Sequence, residues 1–236
     1  VYRELIEEIE KAKKVGLNAR VAVAHHKEDV AETVLFNMAR GSGLDGLCSV
    51  KPKNDNVIRP LINISRAQIE KYLEEKGIAY CVDSTNDDMA FSRNRIRARV
   101  LPELNKINFQ ATDHILSLSK IVSDASDYIN SVVDEVLDKC SGMVSKNGVA
   151  CYTLSRDVLN YDDYIVSEAV HKWLSLSSSG MRDIGRVHID AVKRLLLSDC
   201  GKKICLPYGI VVVSEADSIV ARRGVLNQNE GFEVLI

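Results

Sequence analysis

The residues best suited to chemistry lie between Val21 and Leu47, in the stretch VAVAHHKEDVAETVLFNMARGSGLDGL. A short apolar run, Val21 to Ala24, delivers two histidines, and then a helix begins that carries Asp29 and Glu32 near its first turn. A buried strand that empties polar groups at a helix N-terminus is how open α/β sheets build ligand sites. Asp29 and Glu32 are one helical turn apart. The helix dipole alone stabilises carboxylates there, by ~0.3–1 kcal/mol each. Two carboxylates on one face would equally suit an ammonium group or a magnesium ion. Spacing leaves both readings open. His25-His26-x-x-Asp29 could share a divalent ion, but a metal hydrolase needs more ligands, and the other histidines, His114, His171 and His188, all fall in the helical second half. A histidine hydrogen-bonded or capping at a strand end is the plainer alternative.

A second cluster is Arg93-Asn94-Arg95-Ile96-Arg97-Ala98-Arg99, four guanidinium groups in seven residues. On a helix Arg93 and Arg97 share one face, and Arg95 and Arg99 another. Arginines facing two ways point to phosphate, from nucleotide or RNA. Ion pairs with Asp87 and Asp88 are the structural alternative. Two further loops carry less. Gly41-Ser42-Gly43 lacks Lys and sits at a helix C-terminus, the wrong end for an anion, so it reads as a cap and turn. Asp83 to Asp88 lacks the ligand order and terminal Glu of a calcium loop.

The elements that must position these groups follow from periodicity. Leu5, Ile6, Ile9 and Ala12 predict a first helix, and Arg20 to Ala24 a buried strand. Asp29 to Arg40 is a helix with Val30, Ala31, Val34, Leu35, Met38 and Ala39 on its core face; Asp29, Glu32 and Phe36 fall on another. Asn54 to Asn56 make a polar turn. Ser65 to Gln68 is a capping box opening a helix through Glu75 that Gly77 closes. Ile78 to Val82 is a second strand, and Ser92 to Val100 a helix stopped near Pro102. Apolar residues from Ile115 to Leu137 hold a helical period over almost thirty residues, as in helices that bridge domains. Lys146-Asn147-Gly148 marks a hairpin. Helices around Trp173 and Leu195 follow, then a hairpin of Lys203 to Leu206 and Ile210 to Val213 turned at Pro207-Tyr208-Gly209.

With 236 residues and 46% hydrophobic content the chain can bury one large or two ordinary cores. A formal net charge of -2 gives no global basic field. The six cysteines include no CxxC pair, which argues against zinc ribbons, iron–sulfur ligation and thioredoxin-like chemistry. The charged N-terminus is no signal peptide, and apolar runs such as Ile210 to Val213 are too short to span a membrane, so the sequence reads as cytoplasmic.

Three segments, AHHKEDVAETVLFNMARGSGLDGL, IRPLINISRAQIEKYLEEKGIAYCVDSTNDD and SRNRIRARVLPEL, together resemble the tRNA(Ile)-lysidine synthetase family of the PP-loop ATP-pyrophosphatase superfamily. The Trp173 helix, the His188 helix and the LPYG hairpin from Leu206 fit that family's substrate-binding domain in order. The resemblance implies an α/β fold: residues 1–107 as the remainder of a Rossmann-like PP-loop parallel-sheet domain, and residues 108–236 as a mainly helical α+β tRNA-binding domain with small hairpins. It implies ATP-dependent ligation of L-lysine to C2 of the wobble cytidine of isoleucine tRNA with a CAU anticodon, through an adenylated tRNA. ATP and Mg2+ are the implied cofactors, and a homodimer is compatible with it. Carried over residue by residue, Asp29 and Glu32 bind lysine or help with magnesium. Asn86 and Arg97 are active-site polar groups, Arg97 meeting phosphate or the adenylated base. His26 lines the nucleotide cleft, and Arg93 and Asn94 hold its wall or meet tRNA. Arg97→Ala is then expected to cut adenylation and leave the fold intact. The family's SGGxDS pyrophosphate loop does not occur in these residues. The expectation is therefore a fragment without that loop or the last C-terminal domain, unable to cleave ATP alone. A non-catalytic tRNA-binding module and another PP-loop enzyme, such as a tRNA thiolase, are the competing readings. Thiolases commonly need paired cysteines, which are missing.

Overall fold

The computed structural model describes residues 19–48, 50–54, 56–80, 92–146, 149–177 and 184–223, with scattered positions between residues 4 and 14. The fold is α/β, in two compact units, Val1–Ser126 and Asp127–Ile236.

In the first unit β1 (Val21–Ala22) leads to α1 (Lys27–Ala39), the short α2 (Leu44–Leu47), then β2 (Lys53–Asn54), β3 (Val57–Ile58) and α3 (Arg66–Glu75). β1 pairs in parallel with β3, and β3 antiparallel with β2. The first strand is shorter than the apolar run predicts, and the hairpin around Asn54–Asn56 is an addition to the expected turn. Ile78 to Tyr80 form no strand; the rest of that expected strand, and the loop from Asp83 to Asp88, lie outside the described residues.

Helix α1 buries Val30, Ala31, Val34 and Leu35, as its periodicity predicts, whereas Met38 is exposed. Ala31 and Leu35 join Ile96 and Leu101 in one small core, and Val30 and Val34 join Ile62 in another. At the end of α1, Gly41 adopts φ 74° and its N–H bonds the Met38 carbonyl at 3.0 Å. The Gly-Ser-Gly stretch therefore caps the helix, since a left-handed residue here costs glycine nothing. Helix α3 opens on the predicted capping box, Ser65 with Gln68, and Gly77 closes it at φ 62°.

α4 (Ser92–Arg95) runs into a π turn, Ile96–Val100, and then α5 (Leu101–Ile107). The helix does not stop at Pro102, because the widened turn accommodates it. Pro102 has no N–H for an α bond, and its ring would press on the carbonyl four residues back. The ladder shifts just upstream, where the Leu101 N–H reaches the Ile96 carbonyl.

The long helix α6 (Ala111–Cys140) begins in the first unit. There Ser119 donates to the Leu47 carbonyl at 2.7 Å and Ser126 to Asp45 at 3.1 Å. Ile115 and Leu116 also pack on the α1 cores. These contacts are why residues beyond 107 group with the first unit.

The second unit contains the end of α6, then β4 (Ser141–Lys146), β5 (Val149–Ser155), α7 (Asp163–Ser177), α8 (Arg186–Leu196), β6 (Lys203–Leu206), β7 (Ile210–Ser214) and β8 (Ser218–Arg223). The two predicted hairpins are not separate. β8 lies between them and makes one antiparallel sheet, ordered β4-β5-β8-β7-β6. Its inner face meets the helices over a core that includes Leu154, Trp173, Leu174, Leu196, Ile210 and Ile219. The buried Trp173 indole donates to the Thr153 carbonyl at 3.0 Å, so its polar atom is satisfied.

Candidate active site

The N-terminus of α1 gathers three carboxylates and a histidine. His26 is the N-cap. Its backbone N–H bonds Asp29 Oδ2 at 2.9 Å, the acidic half of a capping box. Its ring lies between two carboxylates: Nδ1 is 2.9 Å from Glu28 Oε2, and Nε2 is 3.4 Å from Asp29 Oδ2. Glu28 Oε2 also accepts the Arg66 backbone N–H at 3.0 Å, so it ties the start of α1 to the start of α3. His25 is held apart. Its Nδ1 accepts from Arg59 Nε at 3.3 Å, and Arg59 Nη1 donates to the Lys51 carbonyl at 2.9 Å.

Glu32 lies one turn further along α1 and is only 2% exposed. A buried carboxylate must be paired, and Arg97 pairs it. Arg97 Nε donates to Glu32 Oε1 at 2.6 Å and Nη2 to Oε2 at 3.0 Å, the two-point fork that arginine makes with carboxylates. The same Nη2 donates to Asp29 Oδ1 at 3.1 Å. The hydrogen bond to Glu32 chiefly raises the guanidinium pKa above its usual value; burial pulls it down, and Asp29 adds to the rise. Arg97 stands in the π turn, and π turns concentrate at functional sites.

Of the sequence-predicted site residues, His26, Asp29, Glu32 and Arg97 come together. Arg93 is exposed on the preceding turn, with Asn94 half-buried beside it. Asn86 lies outside the described residues, as do Asp87 and Asp88, the acids considered as partners for the arginines. Among the described residues, the acids that hold Arg97 come from α1, a pairing 65 and 68 residues apart in sequence that spacing could not reveal. Sequence reasoning also missed Glu28 and Arg59. Glu28 was legible only as one more acid in a helix first turn, and Arg59 carried no signal beyond its charge.

Among the described residues no group of three or more His, Cys, Asp or Glu could hold an ion. Both Glu32 oxygens accept from Arg97, and the Asp29 oxygens accept from Arg97 and the His26 amide. These carboxylates therefore fit poorly as magnesium ligands. No helix among the described residues is long and apolar enough to cross a membrane.

Comparison with known proteins bears on this geometry. Residues 6–104 match the PP-loop domain. The chain is 32% identical over 229 residues to the tRNA(Ile)-lysidine synthase of Caldanaerobacter subterraneus subsp. tengcongensis, covering 96% of this chain and 48% of that protein. It is 31% identical over 207 residues to the tRNA(Ile)-lysidine synthase of Geobacter sulfurreducens, covering 86% of this chain and 43% of that one. The chain thus spans about half the length of the curated relatives it matches.

Proposed function

We propose that this chain, a PP-loop protein related along nearly its whole length to tRNA(Ile)-lysidine synthases, serves the ATP-dependent attachment of lysine to isoleucine tRNA. The observation that carries this is the similarity to a tRNA(Ile)-lysidine synthase over 96% of the chain. In the proposed reaction O2 of the CAU wobble cytidine attacks the α-phosphate of ATP, and pyrophosphate leaves. The lysine ε-amine then attacks C2, and AMP leaves with the oxygen. A loop base is open to this chemistry because it can be splayed from its stack. The reaction belongs in the cytoplasm, where tRNA is found.

Asp29 and Glu32 are the lysine-binding carboxylates in this reading, because they are the acidic pair at the helix start. Arg97 supplies positive charge for a phosphate or the adenylated base, where fixed charge is most effective. His26 lines the nucleotide side, Asn86 is a further polar group of the site, and Arg93 and Asn94 meet tRNA. Magnesium would enter with the phosphates of ATP; the committed oxygens of Asp29 and Glu32 argue against their serving as its ligands.

The test is binding of the 236-residue chain to two tRNAs that share a CAU anticodon, isoleucine tRNA and elongator methionine tRNA, at two salt concentrations. Selective binding of the isoleucine tRNA is expected. Equal binding that salt abolishes would overturn the assignment of this chain to specific recognition of isoleucine tRNA.

A further inference from the structure

β1 and β3 run parallel, and the chain delivers His25 just past the carboxyl end of β1 and Arg59 directly after β3. Ligands of open α/β sheets lie outside these strand ends. The two side chains meet there: Arg59 Nε donates to His25 Nδ1 at 3.3 Å. A guanidinium cannot accept, so His25 accepts at Nδ1 and carries its proton on Nε2. Two further bonds seat Arg59. Its Nη1 donates to the Lys51 carbonyl at 2.9 Å, and its backbone N–H to the Pro52 carbonyl at 2.8 Å. None of these acceptors is an anion. Among the described residues no carboxylate pairs with Arg59, and its Nη2 donates to no acceptor. The acids at the start of α1 turn to other groups: Glu28 to the His26 ring and the Arg66 amide, Asp29 to Arg97 and the His26 amide. Arg59 is half-buried, where water and salt screen its charge less than at an open surface. A fixed cation without a counter-charge is complemented by an anion, and the planar guanidinium matches phosphate oxygens.

We propose that Arg59, seated by His25 at the carboxyl ends of β1 and β3, binds a phosphate group of the nucleotide. The inference rests on the ATP-dependent reading for the source of that phosphate; the preference for an anion comes from the guanidinium itself. Arg59 is the binding residue and His25 a positioning residue, because its Nδ1 holds the guanidinium in place before the ligand arrives. A cation fixed in advance loses little freedom on binding. The arrangement sets an anion-binding arginine beside the acidic start of α1, so that one end of the sheet offers both signs of charge.

The experiment is calorimetric titration of the 236-residue chain with inorganic pyrophosphate and with ATP. Loss of a charge-assisted bond to phosphate should weaken both ligands about tenfold or more in Arg59→Gln. Arg66→Gln, which removes an exposed arginine already paired with Glu70, should bind both as the wild type does. His25→Ala should weaken binding by less than Arg59→Gln, and His25→Asn, whose amide oxygen can accept in place of Nδ1, should restore it. Circular dichroism checks the fold of each variant, and heteronuclear NMR of the wild type needs no variant: pyrophosphate should shift the Arg59 Nε–H resonance and leave that of Arg66 in place. An Arg59 resonance unmoved at saturating pyrophosphate would overturn the proposal, as would the failure of both ligands to bind. Unchanged affinity for both in folded Arg59→Gln would sink the role of Arg59 while leaving the ATP-dependent reading intact. Pyrophosphate binding that requires Arg59 but is not displaced by ATP would assign the site to the RNA backbone and overturn the nucleotide assignment.

Discussion

Cutting one side of the Arg97–Glu32 pair should do more harm than replacing both. Removing the guanidinium leaves a carboxylate that is 2% exposed with its main partner gone, and breaking a buried pair costs about 3–5 kcal/mol. Arg97 is itself partly exposed, so the lower end of that range applies. Arg97→Ala is therefore expected to destabilise the first unit by about 3 kcal/mol in urea unfolding, contrary to the intact fold that the sequence alone suggests. The double variant Arg97→Ala/Glu32→Leu should recover most of that loss; a double variant as unstable as the single one would show that the pair is not what Arg97 contributes. Titration divides the buried groups further. Arg97 has its pKa raised, chiefly by Glu32. A raised cation contributes stability that is complete below its ordinary value and lost as pH rises through the raised one. The pair should consequently survive unchanged from pH 7 to pH 10. Burial likewise pushes the Cys140 thiol up, with Asp157 adding to it. Its contribution is present below the ordinary thiol range and declines as pH rises through the raised value. Since the thiolate is the reactive form, iodoacetamide at pH 8 should alkylate exposed Cys200 well before Cys140; equal rates would contradict the burial.

At the scale of elements the decisive feature is the π turn from Ile96 to Val100, which carries Arg97 toward α1. Pro102 supplies a physical cause for it. Pro102→Ala should restore an α bond and allow the turn to tighten. Helical content would then hold or rise, while the side chain at position 97 rotates away from Glu32. The expected result is unchanged or stronger far-UV circular dichroism with lower stability in urea, as the buried Glu32 loses its fork; unaltered stability would mean that the π turn does not aim Arg97. The same segment marks the limit of what the sequence discloses. Local signals were plain: the Ser65–Gln68 box, Gly77 at the end of α3, and the apolar face of α1 can each be read from a few neighbouring residues. Proline reads as a stop, because nothing local says that a wider turn will absorb it. β2 and β3 pair over two residues each, too few for an alternation to register. β8 joins two hairpins through pairings distant in sequence. Of the site, the acids and the arginine were visible as types, but the bond between them was not. Periodicity places Glu32 with Asp29 off the core face of α1, and the pairing with Arg97 accounts for its burial.

Over the whole molecule the charge balance bears on how tRNA would be held. A net charge of -2 offers no general attraction for a polyanion, so binding must come from a local arrangement of cations. The arginine cluster is the strongest one in the sequence, yet its members are not equivalent. Arg97 is spent on carboxylates, whereas Arg93, Arg95 and Arg99 are exposed. Arg66, also exposed, is paired with Glu70 at 2.8 Å and serves as the comparison. Each phosphate contact to a single strand contributes about 0.7 to the slope of log affinity against log salt. Arg93→Gln and Arg95→Gln should therefore each lower affinity and flatten that slope by roughly this amount. Arg66→Gln should leave the slope alone, since its charge is already balanced within α3. The measurement is a salt series of tRNA binding by filter retention for the three variants and the wild type. A slope flattened equally by all three would mean that tRNA senses only summed charge, and the cluster would lose its claim to be the contact surface. A slope flattened by Arg93→Gln and Arg95→Gln alone would place the RNA backbone beside the turn that carries Arg97. That would bring the polyanion next to the carboxylate pair, where the proposed reaction needs the anticodon to be.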